Sequence, residues 1–206
     1  MKVISIGAHP DDVEIGMGGT IANHVNQGDD VIIIVTTLGG VSGDPKSRKE
    51  EAQKAAKILG VTKLQILNYS VLKLNKPINE FSKIIEDILR KEKPDRVYTH
   101  SPTDFHQVHV GVSNSVVKAA KNINQIFFYE TVSSTTTEFH PDAYVDITKT
   151  INQKIRSLEA HRSQSHRTYI KPNVIRSLAN TRYVWGKVGS NSNGYAEGFM
   201  IHKLVI

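Results

Sequence analysis

Lys2-Val3-Ile4-Ser5-Ile6-Gly7, then His9-Pro10-Asp11-Asp12, then the run Ile15–Gln27 are the three adjoining stretches whose reading decides the fold. The first is a short apolar run of strand length. The second is a polar turn. In the third, Ile15, Ile21, Ala22 and Val25 recur at helical spacing. Strand, loop and helix in that order are the repeating unit of a parallel α/β sheet.

The unit repeats outward from there. Gly28-Asp29 ends the first helix, Val31–Thr37 is a β-branched strand without alternation, and Leu38–Lys46 is a Gly-rich loop containing Pro45. Arg48–Leu59 carries Ala at helical intervals up to a capping Gly60. Leu64–Leu67 reads as the third strand. Ile78–Lys91 reads as the third helix, with Phe81, Ile84, Ile85, Ile88 and Leu89 on one stripe, and Arg96–Thr99 as the fourth strand. Val108–Ala120 and Ile126–Tyr129 continue the alternation.

Unbroken strands separated by amphipathic helices predict a mainly parallel sheet with helices on both faces. Beyond Thr131 the alternation fades into an irregular C-terminal extension. It holds a short strand at Ala143–Asp146, helices near Ile151–His161 and Val174–Tyr183, and a closing strand at Ala196–Val205. With 206 residues and neither a linker nor an internal repeat, residues 1–206 are expected to form a single domain large enough to carry a cleft.

Composition narrows the chemistry. Cysteine is absent, which excludes thiolate nucleophiles, disulfide frameworks and sulfur-ligated metals, and leaves His, Asp and Glu as ligands. The opening MKVISIGAHPDD has neither the apolar run nor the cleavage site of a signal peptide, and no apolar run reaches membrane-spanning length. A cytoplasmic protein without membrane insertion is expected. The formal charge of +6 comes from Lys and Arg interleaved with acids along Lys46 to Lys57 and Lys83 to Lys93. That pattern reads as solvated helix faces, so no nucleic-acid partner is expected, though anionic small molecules would be favoured.

If the first five strands take the common order 3-2-1-4-5, the C-terminal ends of strands one and four face one crevice, where such sheets bind ligands. Two segments fall there. One is His9-Pro10-Asp11-Asp12, and the other is Asp104-Phe105-His106-Gln107-Val108-His109. A catalytic zinc takes three N/O protein ligands and leaves a position for water, and His9, Asp12 and His109 supply that set. Asp11, beside it, is placed to take a proton from the activated water as general base. The competing reading is that Asp11 or Asp12 caps the following helix and the histidines are turn and surface residues. Gly16-Met17-Gly18-Gly19-Thr20 lies inside the helical pattern, so close packing of the helix fits it better than a phosphate loop.

Gly7-Ala8-His9-Pro10-Asp11-Asp12-Val13-Glu14-Ile15-Gly16-Met17-Gly18-Gly19-Thr20 closely resembles the signature of the PIG-L/LmbE family of zinc-dependent N-deacetylases. Further marks agree: Arg48 and Glu51 ahead of Ala55–Val61, His106 and His109, Asp146-Ile147-Thr148, His161 with Ser163-Gln164, and Ala196-Glu197-Gly198-Phe199.

The resemblance implies a Rossmann-like fold, one Zn2+ per chain, and hydrolysis of N-acetyl groups on glucosamine-containing glycosides, glycolipids, chitin oligomers or antibiotic sugars. It implies His9, Asp12 and His109 as ligands and Asp11 as base. His106 in its protonated form becomes the second catalytic group, stabilising the oxyanion, and the proton for the departing amine comes from His106 or from protonated Asp11. Arg48 and Asp104 are expected at the substrate, Arg48 to grip a sugar hydroxyl or phosphate.

Two departures stand out. Val108 occupies the position where the family's second motif carries a carboxylate, which Asp104 could replace. Gly39-Gly40 stands where relatives carry an acidic residue beside Gly. A small-molecule amino-sugar is the expected partner, and a homo-oligomer is compatible with the sequence. A zinc amidase acting on a non-sugar amide and a non-catalytic sugar-nucleotide-binding module are the rival functions. Ser133–Thr137 reads equally as cleft lining or as flexible rim.

Overall fold

The computed structural model describes residues 1–39, 44–70, 79–190 and 192–205. Gly40, most of the loop before Pro45, and Ile78 lie outside them. The elements in order are β1 (Lys2–Gly7), α1 (Asp12–Asn26), β2 (Asp30–Val35), α2 (Pro45–Leu59), β3 (Lys63–Ile66), α3 (Asn79–Glu92), β4 (Arg96–His100), α4 (Gln107–Ala119), β5 (Gln125–Tyr129), β6 (Ala143–Asp146), α5 (Ile151–Glu159), α6 (Pro172–Trp185) and β7 (Ala196–Leu204). Short 3-10 turns at Arg162–Gln164 and Thr168–Ile170 join α5 to α6.

The seven strands form one sheet in the order β3-β2-β1-β4-β5-β7-β6. The first five are parallel in the expected order 3-2-1-4-5. The C-terminal extension is less irregular than its sequence suggested. β7 pairs antiparallel with both β5 and β6, so the last strand lies inside the sheet and the shorter β6 forms the edge.

Strand alternation sorts the core onto two faces. Ile4, Ile6, Ile32, Ile34, Val97 and Ile126 pack under α3 and α4, against Phe81, Ile85, Val112 and Val116. Val3, Val31, Ile33, Val35, Tyr98 and Phe127 pack under α1 and α2, against Val13, Met17, Ile21 and Leu59. A third apolar cluster joins Ile15 to Ile147, Ile151, Ile155 and Ile175, so α5 and α6 form an outer layer on the α1 side.

Helix α1 is therefore enclosed on both sides, with Asp12 through Ala22 all buried. The glycines follow from that enclosure. A Cβ at Gly16 would stand 2.3 Å from the Tyr129 ring, and one at Gly19 would stand 2.7 Å from Ile147. Close packing thus accounts for the Gly-rich run, as its position in the helix suggested.

The helix also breaks at Met17, whose φ of −150° is non-helical. Amides beyond the break need acceptors. The Glu197 carboxylate on β7 accepts from Gly19 N–H at 3.0 Å and from Thr20 N–H at 2.7 Å. Lys154 on α5 balances this buried charge, donating to Glu197 at 2.5 Å and to the Ile15 carbonyl at 2.6 Å. Residues distant in sequence are thereby tied to the helix that follows the site loop.

Candidate metal centre

β1 and β4 are neighbours, with Val3 opposite Arg96 and Ser5 opposite Tyr98, and their C-terminal ends deliver the two expected segments to one point. Thr36 and Thr37, beyond β2, hold the exit of β1 by accepting no freedom at Ala8: both hydroxyls donate to its carbonyl at 3.0 Å.

The turn after β1 is conformationally strained. Asp11 has φ 106°, a left-handed backbone unusual for a residue with a Cβ. It occupies the N-cap of α1 but makes no side-chain cap bond. Instead its Oδ1 lies 3.3 Å from the Arg48 guanidinium, which also donates to the Pro10 carbonyl. Asp12 turns the other way, its Oδ2 accepting from the His9 backbone N–H at 2.7 Å. Neither carboxylate is used to cap α1, which removes the ordinary structural explanation for the pair.

His9 Nδ1, Asp12 Oδ2 and His109 Nε2 form a nearly equilateral triangle. His9 to Asp12 is 3.2 Å, Asp12 to His109 is 3.4 Å and His109 to His9 is 3.3 Å. Zinc bonds of about 2.0–2.1 Å place the ligand atoms of a tetrahedral site ~3.3–3.4 Å apart. The donor set and its spacing therefore fit such an ion. His9 sits at the mouth, while Asp12 and His109 are buried.

His109 has the support that a metal-binding imidazole needs. Its Nδ1 donates to Asp104 Oδ2 at 3.0 Å, with Ser134 Oγ at 3.2 Å, which leaves Nε2 to face the triangle. Asp104 is itself fixed, since its Oδ1 accepts from the His106 backbone N–H at 2.8 Å. With its side chain 2% exposed and both oxygens engaged, Asp104 is turned toward His109 and away from the open cleft. Arg48, 3% exposed, is likewise packed beneath the β1 turn. Both geometries favour positioning roles over the substrate contacts expected of these residues. Ser134, from the polar run after β5, lines the site.

His100, at the end of β4, is a site residue that the sequence reading did not single out. Together with Asp12 and His109 it forms another group close enough for a metal. Its Nε2, however, accepts the Ala8 backbone N–H at 2.9 Å, and its Nδ1 bonds Thr131 Oγ1 at 3.1 Å. The Ala8 amide occupies the lone pair that a metal would need, so His100 serves to hold the β1 turn. Its Nε2 lies 3.3 Å from Asp12 Oδ2 as a second acceptor, without a shared proton.

His106 caps α4, its Nδ1 accepting from the Val108 N–H at 3.2 Å, and this fixes the proton on Nε2. His100, His109 and His106 stack in sequence, with ring centroids 4.0 and 4.4 Å apart.

Burial, followed by the neighbouring Asp12 charge, pushes the Asp11 carboxyl up to about 7, with His161 and Arg48 opposing. Burial pulls His109 down, but Asp12 and Asp104 outweigh it and raise the imidazole to about 10. Burial lowers His100 to about 4 and also lowers His106, with the charge on His109 acting in the same direction. The site thus combines a carboxyl able to exchange a proton near neutrality with His106 as a neutral N–H donor. A protonated His106 imidazole was expected, but burial and the His109 charge both disfavour its cation.

The family model described as PIG-L: GlcNAc-PI de-N-acetylase matches residues 4–120. The chain is 33% identical over 168 residues to YaiS, an uncharacterized deacetylase of Escherichia coli K12, spanning 78% of this chain and 90% of that protein. It is 32% identical over 187 residues to the diacetylchitobiose deacetylase of Thermococcus kodakarensis, spanning 79% of this chain and 70% of that protein. Among solved structures, the N,N'-diacetylchitobiose deacetylase of Pyrococcus horikoshii superposes with a TM-score of 0.81 at 28% identity, over 97% of this chain and 83% of that one. The matched family segment runs from β1 through α4 and so contains both loops that build the centre. This chain belongs to the PIG-L family, whose relatives named here are deacetylases.

Proposed function

We propose that this chain is a zinc-dependent N-deacetylase acting on an N-acetylglucosamine-type amino-sugar, with residues 1–206 forming one catalytic domain that holds one zinc ion. The triangle of His9 Nδ1, Asp12 Oδ2 and His109 Nε2, with edges of 3.2 to 3.4 Å, carries the reading. The deacetylase relatives supply the reaction class and the amino-sugar.

His9, Asp12 and His109 would hold the ion, which when bound polarises the amide carbonyl and makes the attacking water more acidic. Asp104 takes the Nδ1 proton of His109 into its hydrogen bond, so that Nε2 is the nitrogen turned toward the ion. Asp11 removes the proton from the water as it attacks the carbonyl carbon. Its elevated pKa suits the return step, in which the same carboxyl hands that proton to the departing amine nitrogen. His106, whose Nδ1 is bound to the Val108 amide so that Nε2 carries the proton, donates to the carbonyl oxygen as negative charge develops there. Arg48 holds Asp11 in its strained conformation. Acetate and the free amino-sugar result.

A free-amine assay on N-acetylglucosamine, its oligomers and glycosides, with and without chelator, tests the reading. Amine release abolished by chelator and restored by zinc is expected. Release from non-sugar N-acyl compounds alone would transfer the centre to a different amide, and activity indifferent to chelator would contradict the metal reading.

A further inference from the structure

Phe105 stands between two site residues, the buried Asp104 and the exposed His106, and its own ring lies open to solvent. At 79% exposure it is the most exposed large hydrophobic residue among the described residues. The loop carrying it is not loose. Phe105 N–H donates to the Ser134 carbonyl at 2.8 Å, Asp104 N–H reaches the Ser101 carbonyl at 3.3 Å, and His106 N–H is held by the Asp104 carboxylate. The ring is thus presented to solvent from a backbone tied down on both sides.

Trp185, the other strongly exposed aromatic, is 67% exposed and stands beside the Arg182 guanidinium at 5.4 Å. Phe105 makes no comparable ring or cation contact among the described residues. The centre next to it is built from His, Asp, Ser and Thr side chains, which can bind the acetamido group but offer little apolar surface. Pyranose rings have one face of C–H groups, and an aromatic plate is the usual complement to such a face in a site otherwise made of polar groups.

We infer that Phe105 is a specificity-determining residue, a platform on which a second sugar ring of the substrate stacks while the first ring's acetamido group occupies the centre. This rests on the deacetylase reading above and deepens it, because it makes a disaccharide or longer glycan a better substrate than the monosaccharide. His106 and His109, whose rings stack 4.4 Å apart, tie the position of the platform to that of the reacting group through four residues of chain.

Kinetics on N-acetylglucosamine and N,N'-diacetylchitobiose, with the wild type, Phe105→Ala and Phe105→Trp, test this. Phe105→Ala should lower kcat/KM for the disaccharide about tenfold, mainly through KM, and leave the monosaccharide within about twofold. Phe105→Trp should retain the preference. Equal losses on both sugars, or no loss on the disaccharide, would overturn the platform.

Equilibrium binding of the same two sugars separates the two claims. If the wild type hydrolyses neither, the deacetylase reading fails. The platform then survives only if Phe105→Ala still weakens disaccharide binding about tenfold relative to the monosaccharide. It falls if binding ignores the substitution or is undetectable in the wild type.

Discussion

The turn after β1 and the loop after β4 bring their side chains to one point by different means. The first is short and strained: Asp11 lies at φ 106°, and Arg48, Thr36, Thr37 and His100 hold the backbone around it. The second is held mainly by its own side chains, with Asp104 bonding both His109 and the His106 amide and Ser134 closing from the turn after β5. In the first loop the support comes from neighbouring strands and helices, and a single substitution in the loop itself removes chemistry. In the second the support lies largely within the loop, in Asp104, and substituting that residue should alter how well the chemistry is positioned.

That contrast orders the expected effects. Asp11→Asn should cost the most turnover, on the order of 10³-fold, with the metal retained, because the amide neither takes nor returns a proton. Amine release alongside metal analysis measures both, and near-wild-type turnover would end the assignment of Asp11 as base. His106→Ala should reduce turnover about 100-fold with metal again retained, since one hydrogen bond to the developing oxyanion is lost. If its loss matched that of Asp11→Asn, the return of the proton would belong to His106.

Asp104→Asn sharpens the contrast from the other side. Weakening the support of His109 should lower metal affinity by about 10- to 100-fold, a loss that added zinc overcomes. A turnover defect that saturating zinc leaves untouched would instead place Asp104 at the substrate, as the sequence alone suggested.

The dependence on pH has a definite sign. Without metal, His109 is raised to about 10 by Asp12 and Asp104, against burial, and so carries a proton at neutral pH. Metal must displace that proton, so affinity should rise by up to about tenfold per pH unit below about 10, with proton release on metal addition. Titration calorimetry in buffers of different ionisation enthalpy measures the proton count. Binding without proton release would mean that Nε2 of His109 is not the ligand.

Much of this was legible in the sequence. Unbroken β-branched runs and striped helices set the alternation, and the strand order they imply brings the two loops together. Local patterns could not reach what depends on distant partners. His100 sits at the end of a strand read as stopping at Thr99, and only the approach of Ala8 gives its ring a role. Arg48 looked available to a sugar, but its direction is set by packing under Pro10. Glu197 and Lys154 belong to a recognisable stretch and to an ordinary helix, and their purpose appears only where α1 breaks at Met17. β7 lies between β5 and β6, a placement that no periodicity encodes.

The most direct test of the account is the metal content of the purified protein beside that of His109→Ala, after loading with zinc and removal of the excess. The account predicts about one zinc per wild-type chain and close to none in the variant, with both folded by circular dichroism. Wild-type protein that holds no zinc, or a His109→Ala protein that keeps a full complement, would contradict it.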